Sequence, residues 1–384
     1  MDAVRVRAYD VRFGDAILVS IPDETETGEP VLRHLLIDVG NVLSGQGGDD
    51  APLLAALADV VKETGGEPVD LYVMTHEHLD HVQGLLHGKA KGIDIAARTV
   101  WMTASAEGDA YYRRFPEAKR RMAAAAAAQR RARRRLAAVG GATSKRLGPL
   151  LAKNNPRSTG DCVAHIRTIS DDVHYVHRGA EAPHPFRTAR LEVWAPEADS
   201  SDYYGRFSAA IDADDGDDAD DVPAPADDPG PDISPPAGVD PGAFRTLLAR
   251  RSRQELGNVL AIDRARNNTS VVFLLEWRGR RLLFAGDAEL RSWRHIDARG
   301  LLAPVDLIKV SHHGSHNGTP APALLDQLLP VDGTERIAIV STCAGTYSGV
   351  PHDPTIDALS ARARVVSTVA APGGYVDVHL EPGR

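Results

Sequence analysis

Residues 74–81 read MTHEHLDH, and this stretch decides the fold, because it places three histidines and two acidic side chains within six positions. It continues the apolar run Val69–Met74, a pattern that predicts a buried strand. Because side chains alternate between the two faces of a strand, His76 and His78 can point to the same side as the strand ends. Two imidazoles arranged in this way predict a position for one metal ion.

The next residues predict a second metal position beside the first. Asp80 is suited to a helix N-cap, and residues 81–86 are suited to the first helical turn. Asp80 and His81 then offer a carboxylate and an imidazole to the same cavity. A lone histidine here would be interpreted as an ordinary polar loop residue, whereas this cluster favours a metal site.

The motif His-x-His-x-Asp-His at residues 76–81 resembles the ligand motif of the metallo-β-lactamase-fold hydrolases. Predicted strands elsewhere end near Asp38, Asp287 and His312, and their order along the chain matches the order of motifs in that family. The resemblance implies an α/β fold, a four-layer αββα sandwich that forms a single domain over residues 1–384. It also implies a metal-dependent hydrolase that uses a metal-activated hydroxide.

Shorter motifs resemble one branch of that family more closely, the hydrolase domain of the DNA-uptake competence channels (ComEC-like), which is regarded as a nuclease. These motifs are Gly14-Asp15-Ala16, Asn267-Asn268-x-Ser270, Phe284-Ala285-Gly286-Asp287, Ser311-His312-His313-Gly314-Ser315 and Tyr347 with Pro351-His352. The chain departs from the branch at His352, where it has Val-Pro-His-Asp-Pro instead of Tyr-Gly-His-Pro.

Roles follow residue by residue from the resemblance. Asp287 would bridge two ions, Asp80 would also hold the hydroxide, and His313 or His352 would protonate the leaving oxygen. Loop support through hydrogen bonds is the alternative role for His313 and His316. The implied metal ligands are His76, His78, Asp80, His81, Asp287 and His312, and the implied supporting residues are Asp15, Asp38 and Asn268.

The expected cofactors are two divalent metal ions. A mixed set of histidine and aspartate suits Zn²⁺ and would also accept Mn²⁺. The ion at His76 and His78 has no assigned third ligand, since His165, His174, His177 and His184 lie in no convincing motif. Water, Asp287 or His352 could complete it, and occupancy by one ion is left open.

Two segments depart from the plan of the fold. Residues 104–160 form an Arg/Ala-rich insertion that predicts one long or broken helix over 106–138, with Pro116 near its start. Its basic part, residues 113–135, is either a solvated helix or an arm that contacts DNA, RNA or another anionic partner. Residues 198–242 are rich in Asp and Pro and predict a flexible loop, which could also screen the basic arm.

Composition excludes several classes. The net charge of −9 is concentrated in residues 199–232, which hold twelve aspartates and one arginine, so the rest of the chain is not acidic. Two distant cysteines do not suggest a disulfide framework or a cysteine-rich zinc site. With no apolar signal or membrane-spanning run, the sequence predicts a soluble, cytoplasmic protein.

Three functions remain open from the sequence. The first is a phosphodiesterase or nuclease. The second is a hydrolase of the same fold that acts on a non-nucleic ester, lactone or amide. The third is a non-catalytic nucleic-acid-binding module that keeps a structural metal site.

Overall fold

The computed structural model describes residues 2–41, 50–139, 156–204, 262–343, 349–369 and 371–383. The chain divides into two compact units. The larger comprises Met1–Tyr111, Asn155–Ala198 and Arg266–Arg384, and the smaller comprises Tyr112–Asn154 and Asp199–Ala265. All the candidate site residues lie in the larger unit.

The described strands of the larger unit form two sheets. In chain order they are β1 (Val4–Tyr9), β2 (Ala16–Glu24), β3 (Pro30–Val39), β4 (Val69–Met74), β5 (Ala97–Thr103), β6 (Val173–Val176), β7 (Ala189–Ala195), β8 (Val272–Trp277), β9 (Arg280–Phe284), β10 (Leu307–Lys309), β11 (Ile337–Val340), β12 (Arg364–Ser367) and β13 (Tyr375–Leu380).

The first sheet has the order β13-β1-β2-β3-β4-β5-β6, and the second has the order β12-β11-β10-β9-β8-β7. In the first sheet the strands from β3 to β6 are parallel, and in the second the strands from β9 to β12 are parallel. The other pairs are antiparallel. Each sheet therefore contains a parallel half whose strands all end at the same edge.

Alternation along the strands divides the apolar core into layers. In β4, Leu71 and Val73 belong to the cluster between the sheets, while Tyr72 and Met74 belong to a cluster on the opposite face. Strand geometry requires this split, because neighbouring side chains point to opposite faces of a sheet. A strand with apolar residues on both faces must be covered on both.

Helices cover the outer face of each sheet. Among the described residues the helices are α1 (Ala51–Glu63), α2 (Leu79–Ala90), α3 (Asp109–Arg114), α4 (Pro116–Val139), α5 (Pro156–Ile166), α6 (Leu290–Ala298), α7 (Pro322–Leu328) and α8 (Asp353–Ser360).

Helices α1, α2 and α5 contribute buried apolar residues to the cluster on the first sheet, and α6, α7 and α8 contribute to the cluster on the second. The layers are thus helix, sheet, sheet and helix, and the expected αββα sandwich is confirmed.

Helix α2 begins two residues earlier than the sequence indicates. Its N-cap is His78, which has extended dihedral angles of φ −93° and ψ 147°, and Asp80 lies in the first turn. The prediction that Asp80 is the N-cap is therefore corrected. The backbone is extended at His78, and a carboxylate in the first turn of the helix still benefits from the helix dipole.

The Arg/Ala-rich segment is helical in its described part. A 3-10 turn at Ala104–Glu107 is followed by α3 and α4, which are separate helices with Pro116 at the first position of α4. Proline is favoured there because the first helical residue needs no N–H donor. Within the smaller unit, Ala125 and Ala128 of α4 pack against Tyr204, and Nη1 of Arg121 donates to the carbonyl of Ser201 at 2.9 Å.

From residue 205 to residue 261 the chain lies outside the described residues, and this range includes most of the Asp/Pro-rich segment. Within the part of the chain that is described, no helix has the length and apolar character needed to span a bilayer.

The backbone at Gly40 lies against the start of α2. A Cβ atom at residue 40 would lie 2.3 Å from the carbonyl carbon of Asp80 and 2.4 Å from the amide nitrogen of His81. Neither backbone atom can rotate away, so only glycine fits between β3 and the metal-motif helix.

Gly40→Ala is therefore expected to lower the free energy of unfolding by about 1–3 kcal/mol, the usual cost of overpacking a core. Urea denaturation followed by circular dichroism measures it. The matched control is Gly160→Ala in α5, where a Cβ atom meets no described atom within 4 Å. Alanine there should be neutral or mildly stabilising, since glycine weakens a helix interior. Equal stability of the two variants would contradict the close approach.

Candidate metal centre

The predicted site residues converge at one edge of the sandwich. Asp38 lies near the end of β3, His76 follows β4, Asp287 follows β9, and His313 follows β10. In α/β folds the carboxyl ends of parallel strands meet at one edge, where ligands bind. The two parallel halves thus bring residues from distant parts of the chain together.

Asp80, His81, Asp287 and His313 form the tightest group, with one ligand atom from each lying within 4.8 Å of all the others. Oδ2 of Asp287 lies 3.1 Å from Nε2 of His81 and 3.5 Å from Nε2 of His313. Nε2 of His313 lies 3.7 Å from Oδ2 of Asp80. All four residues are fully buried.

His76 and His78 lie beside this group. Nε2 of His76 is 3.0 Å from Nδ1 of His78 and 4.0 Å from Oδ2 of Asp287. The rings of His76 and His81 are also close, with centroids 4.2 Å apart. A single carboxylate oxygen of Asp287 therefore adjoins the histidine pair on one side and the four-residue group on the other.

Asp38 orients His81. Its Oδ2 accepts a hydrogen bond from Nδ1 of His81 at 2.8 Å, and the carboxylate also accepts from the amide and hydroxyl of Thr75 at 2.8 and 2.6 Å. A proton held on Nδ1 directs the lone pair of Nε2 toward the cluster, as in the carboxylate–histidine pairs that support metal ions. Asp38 has φ +49°, a conformation that is uncommon for a non-glycine residue and often marks a functional position.

The turn after β10 places His313, not His312, in the four-residue group. Both residues have positive φ, +48° and +55°, and this turn points their side chains in different directions. Nδ1 of His313 donates to the carbonyl of Ser341 at 2.9 Å, which directs its Nε2 into the cluster. Nδ1 of His312 instead lies 3.3 Å from Oε1 of Glu289.

This placement changes the prediction for the loop. The sequence assigned the ligand to His312 and a protonating role to His313. The geometry makes His313 the candidate ligand, because its Nε2 adjoins Asp80 and Asp287. The order of residues after a strand cannot tell which of two adjacent histidines faces the cluster, since that depends on the left-handed turn.

Asn268 and Ser270 support the loop that carries Asp287. Oγ of Ser270 accepts a hydrogen bond from the amide of Asp287 at 3.1 Å. Oδ1 of Asn268 accepts from the amide and the hydroxyl of Ser292, each at 2.9 Å, and from the amide of Glu289 at 3.3 Å. Asn268 thereby satisfies amide donors at the start of α6, which would otherwise be unpaired.

Asp15 also lies next to the cluster, with its carboxylate 3.7 Å from Nδ1 of His81 and 3.8 Å from Nδ1 of His313. It is bound by two residues that the sequence reasoning missed, Lys309 and Ser341, which donate to its two oxygens. The sequence does carry one signal of this pair. A lysine lies inside the apolar run 305–310, and a buried lysine rarely lacks a partner.

The remaining histidines lie elsewhere. His352 is half-buried, with Nδ1 3.1 Å from the hydroxyl of Thr355 and its ring centroid 5.0 Å from that of His316. Its amide donates to the carbonyl of Gly314 at 2.9 Å, next to the His312–His313 turn. All the histidines of the chain lie among the described residues, and His165, His174, His177 and His184 are not in the four-residue group.

The electrostatics of the centre favour a cation among the carboxylates. Burial alone lowers the pKa of His81, but the carboxylates of Asp287 and Asp38 raise it well above its usual value. Burial raises the pKa of Asp287, but the neighbouring His81 and His313 hold it well below its usual range. Asp38 keeps a raised pKa, because burial outweighs its hydrogen bonds from His81 and Thr75.

The donor set fits a divalent metal ion. Nε2 of His313 and Oδ1 of Asp287 are buried, and neither makes a hydrogen bond within the described part of the chain. A buried polar atom is costly unless something binds it. Imidazole nitrogens and carboxylate oxygens are ligands that Zn²⁺ accepts in catalytic sites.

Comparison with known proteins found similarities among solved structures only. No family profile and no curated protein matches the chain. The metallo-β-lactamase fold protein YhfI from Bacillus subtilis is similar at 8% identity and a TM-score of 0.39, with 97% of this chain and 99% of that chain covered.

A long form of RNase Z from yeast is similar at 10% identity and a TM-score of 0.40, with 98% of this chain and 41% of that chain covered. A variant of the CmlA β-hydroxylase is similar at 12% identity and a TM-score of 0.35, with 99% and 54% covered. The chain thus spans less than two thirds of the length of the RNase Z and of the hydroxylase.

His313→Ala is expected to lower zinc affinity by at least about tenfold, because even residues that only support ligands contribute that much. Elemental analysis of purified protein and titration against a chromophoric chelator measure it. The adjacent variant His312→Ala is the control and should keep the affinity of the wild type. Loss of zinc from His312→Ala with retention in His313→Ala would reverse the assignment.

Proposed function

We propose that the chain is a metal-dependent hydrolase and that its substrates are phosphodiesters. One observation carries the proposal. Oδ2 of Asp287 lies 3.1, 3.5 and 4.0 Å from Nε2 of His81, His313 and His76, all fully buried at the ends of parallel strands. A carboxylate oxygen surrounded by three imidazoles suits a ligand shared by two adjacent metal positions.

The proposed ligands are His76 and His78 for one ion and Asp80, His81 and His313 for the other, with Asp287 between them. Divalent ions bound there would supply Lewis acidity and lower the pKa of a coordinated water, which makes hydrolysis feasible near neutral pH. Zn²⁺ suits this donor set, and Mn²⁺ is the second candidate.

The chain's own residues hold protons and orient these ligands. Asp38 keeps a proton on Nδ1 of His81, and the carbonyl of Ser341 keeps one on Nδ1 of His313, so that both Nε2 atoms point into the centre. Asp80 is proposed to position the attacking water. His352, half-buried beside the His312–His313 turn, is proposed to protonate the leaving oxygen.

The charge of the centre supports an anionic substrate. The charges of two divalent ions exceed those of Asp80 and Asp287, and the carboxylate of Asp15 is already paired with Lys309. A phosphodiester carries a negative charge, and its in-line hydrolysis suits two ions that contact both the attacking and the leaving oxygen. An uncharged ester or lactone would be attracted less strongly by the net positive charge of the centre.

The exposed basic side chains of helix α4 favour a polymeric anion as the substrate. Lys119, Arg120 and Arg130 are exposed, whereas Arg121 donates to the backbone of residues 201 and 204. Exposed cations attract phosphate backbones without sequence preference. We propose that this helix binds DNA or RNA, which makes nuclease activity the favoured form of the phosphodiesterase.

Protein loaded with Zn²⁺ or Mn²⁺ is expected to hydrolyse bis-p-nitrophenyl phosphate and DNA, with the rate followed by absorbance and by gel. Asp287→Asn and His78→Ala should each lower the rate at least about a hundredfold, as loss of a key electrostatic group does in other enzymes. Asp326→Asn, an exposed carboxylate on α7, is the matched control and should keep the full rate.

Retained activity in both site variants would refute the proposed centre. If phosphodiesters stay intact while p-nitrophenyl acetate or a lactone is hydrolysed, the chain is a hydrolase of non-nucleic esters. DNA binding that survives removal of the metal, with no turnover of any substrate, would indicate a binding module.

The helix is tested with the double variant Lys119→Ala/Arg130→Ala. Its affinity for a DNA or RNA oligonucleotide should fall, and the slope of log affinity against log salt should decrease by about one to two, since each phosphate contact contributes about one. Hydrolysis of bis-p-nitrophenyl phosphate should stay unchanged. Lys91→Ala removes an exposed charge from the end of α2 and is the control. Equal salt slopes in all three proteins would exclude the helix as the binding surface.

A further inference from the structure

Lys309 is buried directly behind the metal centre. It is the last residue of β10, its side chain is 2% exposed, and its ammonium group is paired with Oδ2 of Asp15. Nζ also donates to the carbonyl of Gly286 at 3.3 Å and lies 3.9 Å from Oδ1 of Asp287. One ammonium group thus contacts the loop that carries the proposed bridging carboxylate.

Asp15 extends these contacts to the other ligands. Its Oδ1 accepts from the hydroxyl of Ser341, whose carbonyl orients His313. Oδ2 of Asp15 lies 3.7 Å from Nδ1 of His81, and Oδ1 lies 3.8 Å from Nδ1 of His313. The pair of Asp15 and Lys309 therefore adjoins three of the four residues in the tight group.

The pair also joins the two sheets. Asp15 immediately precedes β2 in the first sheet, and Lys309 ends β10 in the second. His81 belongs to the first half of the chain, whereas Asp287 and His313 belong to the second. Because the ligands come from both halves, the distances between them depend on contacts that cross between the sheets at this edge.

We propose that Asp15 and Lys309 are positioning residues that hold Asp287 and His313 at coordinating distance from His81. This inference rests on the proposed metal centre and extends it to residues that contact no substrate. Stability alone does not explain the pair, since a buried ion pair is often no more stabilising than apolar residues of similar volume. Its contacts with ligand residues on both sheets give it a second role.

The ammonium group of Lys309 could act through its charge or by positioning the ligands, and these two roles predict opposite effects of its removal on metal affinity. If the ammonium group acted only by its charge, removing it would strengthen the binding of a cation. If it positions the ligands, removing it weakens binding, as loss of supporting contacts does in other metal sites. A charge-neutral double variant, Asp15→Asn/Lys309→Met, separates the two effects because it leaves the net charge unchanged.

The full-length double variant is expected to bind Zn²⁺ about 10–100-fold more weakly than the wild type, by competition with a chromophoric chelator. Thermal unfolding of the metal-free proteins is measured in parallel. Arg7→Met is the control, because Arg7 is a buried cation paired with Asp59 and Asp377 away from the centre. It should lower thermal stability without changing zinc affinity.

Each outcome decides between the alternatives. Wild-type zinc affinity in the folded double variant would overturn the inference. Tighter binding in Lys309→Met alone would then show that the ammonium group acts only by its charge. If Lys309→Met does not fold, the double variant and Asp15→Asn still test the pair. A wild-type protein that binds no zinc or manganese would refute the metal centre itself, which is a different result.

Discussion

Buried negative charge is the constraint on which the rest of the structure depends. Asp15, Asp38, Asp80 and Asp287 are at most 1% exposed and lie at one edge of the sandwich. A carboxylate without a partner in such a place is strongly unfavourable. The surrounding residues supply partners: Lys309 pairs with Asp15, His81 and Thr75 pair with Asp38, and His81 and His313 adjoin Asp287.

The backbone around the centre is irregular at three positions. Asp38, His312 and His313 have positive φ, which costs energy at non-glycine residues and persists only where the surroundings enforce it. The side chain of Asp38 accepts from the amide of Thr75, and that of His313 donates to the carbonyl of Ser341. Local strain is offset here by hydrogen bonds that orient the imidazoles.

Much of the architecture was predictable because its signals are local. The strand at Val69–Met74 matches its predicted bounds, since an apolar run identifies a strand without knowledge of its neighbours. Other elements were missed. Strand β13 adds to the first sheet beside β1, although residues 375–380 carry the alternation of apolar and polar residues that predicts a strand.

The sequence by itself determined that histidines and carboxylates stand at the ends of several strands, because that depends on the order of residues and on strand geometry. Only the tertiary structure decided which of them meet. The choice of His313 over His312 depends on two left-handed residues, and the recruitment of Lys309 and Ser341 depends on the packing of one sheet against the other. Contacts between residues hundreds of positions apart have no local signature, since the distance between them is set by the core that lies between.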